Sequence, residues 1–151
     1  MNQLEMHWLT AVPWDTLLTV NQALCQAKQV TSQQNEKTCE TARQLWESAR
    51  PRRMPLREVL DVCRECSKLT PFVFNNGNTF AAVVKTLLED PLKSMPPVEA
   101  QIIRTTVAHY VNGLVGKKEL LQVLRHFEVA WEKPHGAPTP SGRQAEQRFA
   151  G

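Results

Sequence analysis

Apolar side chains recur at helical spacing in three stretches between Thr70 and Trp131, and this pattern predicts three amphipathic helices. The first stripe contains Phe80, Val83, Val84, Leu87 and Leu88. The second contains Val98, Ile102, Ile103, Val107, Tyr110 and Val111. The third contains Leu120, Leu121, Leu124, Phe127 and Trp131. Breaks rich in Asn, Pro and Gly separate the stripes, so each helix is expected to turn back against its predecessor.

Local signals place the ends of these helices. Asn78 or Thr79 is a suitable cap for the first helix, and Pro91 is expected to end it. Pro97 suits the first turn of the second helix, because a missing backbone N–H is harmless there. Gly113 suits a left-handed stop after that helix.

The first part of the chain, from 13 to 49, contains two weaker helical stripes separated by a polar stretch. One interpretation is a helical hairpin. The other is a single long helix with a polar middle. A heptad drawn through the whole region places polar residues at half of its seam positions, which is unfavourable for a coiled coil. Ser32 and Asn35 suit a turn or a new cap, and the sequence therefore favours the hairpin.

Two prolines define a connector over residues 50–55, because they forbid a continuous helix there. The following residues resume a helical stripe with Leu56, Val59, Leu60 and Cys63. A short apolar run at 72–74 has no evident partner strand, so we expect a buried connector there.

The whole pattern predicts an all-α protein, a small bundle of about six helices, with a single domain over residues 1–133. Its parts are the hairpin at 13–49, the basic connector at 50–55 and a helical core at 56–133. Pro134 is expected to close the last helix. From 134 to 151 the residues are mostly Pro, Gly, Ser, Gln and Arg without periodicity, which predicts a flexible, disordered tail.

Charge and cysteine usage narrow the class of protein only a little. The formal net charge is +3, which by itself implies no nucleic-acid or membrane partner. No run of apolar residues is long enough to span a bilayer, and no signal peptide is evident at the start. We therefore expect a cytoplasmic protein whose four cysteines are reduced and mostly buried.

Motifs that carry catalytic or metal chemistry are missing or incomplete. Cys63 and Cys66 form a C-x-x-C pair, but it lies late in a predicted helix, where the helix dipole disfavours a thiolate. The second ligand pair of a zinc site is lacking, and no nucleophile elbow or phosphate-binding glycine loop occurs. The sequence predicts no cofactor, no metal and no identifiable catalytic residue. A catalytic site formed by residues that are distant in sequence would leave no such motif.

The connector is the most basic part of the chain. Residues 49–70 carry six Lys or Arg against three Asp or Glu, whereas residues 1–48 carry three against five. Guanidinium groups bind phosphates through paired, charge-assisted hydrogen bonds. The candidate phosphate-binding residues are Arg50, Arg52, Arg53 and Arg57. Against this interpretation, the sequence contains no helix-turn-helix signature that could read bases.

Four tryptophans are many for a small helical domain, which has difficulty covering so much indole surface. They are Trp8, Trp14, Trp46 and Trp131. Because tryptophan is enriched among interface hot spots, these residues are candidate partner-binding anchors. The alternative is that they pack against one another within the bundle.

These observations favour a non-enzymatic helical interaction module that either self-associates or serves as a small subunit of a larger assembly. Its partner is expected to be a protein chain, with no membrane involved. The alternative is a nucleic-acid-associated subunit that contacts the phosphate backbone through the basic connector. The third interpretation is an enzyme whose site leaves no sequence signal.

Overall fold

The computed structural model describes the chain over residues 5–136 and its side chains over residues 5–129. The described part is all-α, as the sequence predicts. Its helices are α1 Trp14–Ala27, α2 Cys39–Ala49, α3 Leu56–Lys68, α4 Asn76–Leu87, α5 Glu89–Leu92, α6 Pro97–Val111 and α7 Lys117–Gly136. The last helix continues through Pro134. Most of the predicted tail, from residue 137 to residue 151, lies outside the described residues.

Residues 13–49 form two helices and a loop, not a single long helix. The start of α1 lies beside the end of α2, where the Trp14 amide donates to Glu47 Oε2 at 2.9 Å. The Trp46 indole Nε1 donates to the carbonyl of Val12, also at 2.9 Å. Elsewhere α1 packs mainly on α4 and α2 mainly on α3, so the two helices are tied chiefly at this end.

The loop after α1 pairs with the short apolar run that was expected to have no partner. The Val73 amide donates to the carbonyl of Gln33 at 2.9 Å, and the Asn35 amide donates to the carbonyl of Pro71 at 2.7 Å. The pairing is an isolated antiparallel bridge between loops that are distant in sequence. Phe72 is buried at its centre, whereas Val73 is exposed, so the run is only partly the buried connector that the sequence predicted.

Helix α4 lies at the centre of the bundle and packs against α1, α3 and α6. It begins at Asn76, before the predicted cap, because Asn75 adopts the left-handed conformation with φ of 64° and turns the chain into the helix. The helix ends at Leu87, and Pro91 lies within the short helix α5 that follows.

The turn from α6 to α7 uses the glycine stop that the sequence predicted. Gly113 has φ of 78°, and the Leu114 amide donates back to the carbonyl of His109 at 2.7 Å, as in a Schellman motif. Glu119 caps the start of α7, because its Oε1 accepts a hydrogen bond of 3.1 Å from the Gly116 amide. Helix α7 can therefore reverse direction and pack on α6.

Residues before α1 form an arm that crosses the connector. Met6 and Met54 exchange backbone hydrogen bonds of 3.0 and 2.9 Å. Trp8 and Leu9 follow and are buried in the main core. The arm thereby contributes apolar surface that the helices alone do not supply.

Candidate functional site

Two of the predicted partner-binding tryptophans pack against the same phenylalanine in the core. Trp14 stacks on Phe72 with a centroid distance of 5.9 Å and an interplanar angle of 10°. Trp46 lies at 5.8 Å from Phe80, which also lies at 6.2 Å from Trp14. The four rings form one aromatic cluster that joins α1, α2, α4 and the 70–75 loop.

The predicted role of the tryptophans as exposed anchors needs a correction. Trp8, Trp14 and Trp46 all lie in the core of this chain, so none of them presents its indole to a partner. The N-terminal arm and the 70–75 loop supply the covering surface that a helix count alone did not foresee. The side chain of Trp131 lies outside the described residues.

The predicted phosphate-binding arginines are largely engaged within the chain. Arg50 donates through Nη1 to Glu47 at 2.8 Å and through Nη2 to the carbonyl of Thr10 at 2.7 Å. Arg52 pairs with Glu58 at 3.0 Å, and Arg53 donates to the carbonyl of Glu5 at 3.0 Å. These contacts compete with phosphate for the same N–H groups.

Arg57 is the remaining member of the predicted phosphate-binding set. It is exposed on α3, and among the described residues it has no ion-pair partner. It adjoins a small depression that also contains Arg125 and Glu128. Of the predicted set, only Arg57 adjoins this depression, and the Glu128 carboxylate offsets part of the positive charge that Arg57 and Arg125 bring to it, so the predicted set gives limited support to nucleic-acid binding.

A polar cluster joins α3 to the ends of α6 and α7. Tyr110 donates to Asp61 at 2.5 Å, and Lys117 pairs with the other carboxylate oxygen at 2.6 Å. The Arg64 guanidinium lies 4.4 Å from the Tyr110 ring centroid. Burial and then the neighbouring Asp61 carboxylate raise the pKa of Tyr110, which favours its neutral form. These contacts tie α3 to the last turn of α6 and to the first residue of α7.

Cys63 and Cys66 of the C-x-x-C motif are both buried, and neither forms a disulfide. Burial raises the pKa of Cys63 well above its usual range. Burial likewise raises the pKa of Cys66 to about 12, with a smaller contribution from Glu65. Both thiols are therefore poor nucleophiles, which agrees with the unfavourable position that the sequence indicated.

The described residues contain no group of three or more His, Cys, Asp or Glu side chains arranged to hold a metal ion. Over the same residues, none of the helices combines the length and apolar character needed to cross a bilayer.

An apolar surface instead lies on the outer side of α6 and α7, and we call it the α6–α7 face. Val98 and Ile102, one helical turn apart on α6, are 73% and 52% exposed, and Val129 on α7 is 52% exposed. Between the two helices runs a groove of about 200 Å³ whose walls include Ile102 and Val123. A hydrogen bond between His126 and Glu99 crosses it.

Sequence analysis assigned Val98 and Ile102 to the buried stripe of α6, and the structure corrects this assignment. Ile103, Val107 and Val111 do face the core. Adjacent residues of a helix point about 100° apart, so Ile102 and Ile103 cannot both face the core. The Ile-Ile pair was the available signal that α6 is apolar on two sides, which is typical of a helix covered on both sides.

Comparison of the chain with protein-family models, with curated proteins and with solved structures finds no match.

Proposed function

We propose that the chain acts as a non-enzymatic helical interaction module and that its α6–α7 face binds another protein chain. That chain is a second copy or a subunit of a larger assembly. We also propose a cytoplasmic location, because thiols that remain unpaired are characteristic of a reducing compartment. In this proposal the partner-binding residues are aliphatic side chains on α6 and α7 in place of the tryptophans.

One observation carries the proposal: large aliphatic side chains on neighbouring helices are left open beside an apolar groove. Single exposed apolar residues are ordinary on any surface. Several of them on the outer side of two neighbouring helices, with Ile102 in the wall of a groove, are typical of protein interfaces, where an apolar centre is surrounded by polar residues. Here Gln101 and Gln122 are exposed polar neighbours of the face.

The proposal predicts that a photo-reactive side chain placed at Ile102 captures a protein partner in cells. Replacing Ile102 by p-benzoyl-phenylalanine should give a discrete cross-linked species on irradiation, because this position lies at the centre of the proposed contact. Placing the same group at Gln22, an exposed position on α1, is the matched control and should give none. The measurement is denaturing electrophoresis followed by mass spectrometry of the cross-linked band.

A second version of the same experiment carries Val98→Asp beside the cross-linker at 102, and the discrete band should weaken strongly. The proposal fails when position 102 gives no discrete band, or one that Val98→Asp leaves unchanged. Light scattering with absorbance at 260 nm on the purified full chain tests the competing function. The nucleic-acid-associated function would be favoured by two results together. The purified chain would carry absorbance at 260 nm that disappears in Arg57→Glu, and position 102 would give no cross-linked band.

A further inference from the structure

A separate cleft lies over α4, where α1 and α6 flank this helix without closing over it. Its volume is about 600 Å³, within the range of small-molecule sites. Leu24 of α1 forms one wall, and Leu114 after α6 stands at the opposite rim. This cleft is distinct from the α6–α7 face, because the two lie on opposite sides of the exposed ridge of α6.

Small side chains give the cleft its depth. Ala81 and Ala82 of α4 and Ala108 of α6 line it, so a ligand could approach both helix backbones closely. Asn112 continues the lining at the end of α6, where its Nδ2 donates to the carbonyl of Ala108 at 2.9 Å. The three alanines therefore form an apolar patch within a lining that is otherwise partly polar, and this patch suits a flat ring or a short aliphatic chain.

The cleft carries a cationic side chain and no carboxylate. Lys85 on α4 and His109 on α6 are exposed residues of its lining, which also contains neutral polar side chains. Among the described residues, neither side chain has a hydrogen-bond or ion-pair partner. Four other lysines with described side chains do have partners, namely Lys28, Lys68, Lys93 and Lys117.

Small apolar residues beside an unpartnered ammonium group are complementary to a particular kind of molecule. The apolar patch favours an apolar body by excluding water, and an ammonium donor on the rim favours a negative charge. Asn78 adds an amide at the same cleft. We infer that this cleft binds small organic anions that carry an aromatic or aliphatic body.

The experiment is a titration of the uniformly ¹⁵N-labelled full chain with 2-naphthoate, followed by amide chemical shifts at low ionic strength. The expected shifts cluster at Ala81, Ala82 and Ala108, with a dissociation constant at or below about 1 mM, as suits a ligand of this size. The neutral isostere 2-naphthamide should bind about tenfold more weakly, because it loses the charge-assisted contact.

Three variants sharpen the result, and the dispersion of their own spectra reports whether each is folded. Lys85→Gln should weaken naphthoate binding about tenfold. Lys118→Gln is the matched control, since Lys118 is exposed on α7 outside the cleft, and it should bind as the parent does. Ala82→Phe fills the cleft from a half-buried position and should abolish binding.

Three outcomes overturn the inference. These are shifts scattered over the surface or centred on the α6–α7 face, equal affinity for naphthoate and naphthamide, and a dissociation constant above about 10 mM, where binding has no specificity. Because the cleft and the α6–α7 face share no lining residue, either site can fail its test while the other passes.

Discussion

At the residue scale, one buried asparagine holds the loop after α1 and the 70–75 loop together. Asn21 lies on the inner side of α1 with no exposed surface, and its Nδ2 donates to the carbonyl of Phe74 at 2.8 Å and to Thr79 Oγ1 at 3.1 Å. Its Oδ1 accepts from Ser32 at 2.7 Å. In the sequence, Asn21 is only a polar interruption of an apolar stripe, because its partners other than Cys25 are 11 to 58 residues away.

Replacing Asn21 by Ala should lower the free energy of unfolding by about 3 kcal/mol, because several buried polar groups lose their partner at once. Chemical denaturation followed by circular dichroism measures the change. The matched control is Gln22→Ala on the exposed side of the same helix, which should change stability by less than about 0.5 kcal/mol. A loss below about 1 kcal/mol for Asn21→Ala would show that water replaces these contacts easily.

At the scale of elements, helix positions and the buried side of α3 were predictable because they depend on spacing within a single segment. Leu56, Val59, Leu60 and Cys63 are buried as the stripe indicated. The outer side of α6 was not predictable in the same way, since an apolar residue near the edge of a stripe can face either direction. The choice depends on where α4 and α7 lie, which no local pattern specifies.

The contact between α4 and α6 depends on a glycine whose role is visible only in the structure. A Cβ atom built on Gly77 would lie 1.7 Å from Asn112 Oδ1, so any larger residue forces that amide to move. Gly77→Ala alone should therefore gain little or lose stability, although Ala is the better helix former by about 1 kcal/mol.

In an Asn112→Ala background the obstruction is gone, and the same Gly77→Ala change should stabilise the protein by up to about 1 kcal/mol. A double-mutant cycle from urea denaturation of the four proteins gives the coupling between the two positions. We expect about 1 kcal/mol, with the sign that makes the double variant more stable than the sum of the single changes. A coupling near zero would mean that Asn112 relaxes without cost.

At the scale of the whole molecule, the burial of Trp8, Trp14 and Trp46 has a physical cause. A count of helices suggested too little surface to cover the tryptophans, but two irregular segments add to the core that buries these three. The N-terminal arm brings in Leu9, and the 70–75 loop stacks Phe72 on Trp14. These segments meet parts of the chain that are distant in sequence, as in the Phe72–Trp14 stack and the Met6–Met54 pairing, and such contacts arise only from tertiary packing. The apolar pattern therefore predicted the class of fold but not which apolar residues remain open to a partner.

Buried thiols should give the molecule a characteristic loss of stability in alkaline solution. Burial raises the pKa of Cys66 to about 12 and that of Cys63 well above the ordinary value of 9.0. Because the folded-state pKa values are the higher ones, this stabilisation is complete below pH 9 and is lost as the pH rises towards 12. Each thiol should contribute a decline of about 1.4 kcal/mol per pH unit in that window.

Urea denaturation under reducing conditions at several pH values above 8 measures the decline. A variant with both Cys63→Ala and Cys66→Ala is less stable at neutral pH, since it leaves small cavities. Its stability should nevertheless fall less steeply with pH, because the two ionisations are gone. The raised pKa of Tyr110 acts in the same direction, but only above pH 10, and it remains in both proteins. Parallel curves between pH 9 and 10 would mean that the thiols ionise without unfolding, and hence that the C-x-x-C pair opens to solvent locally.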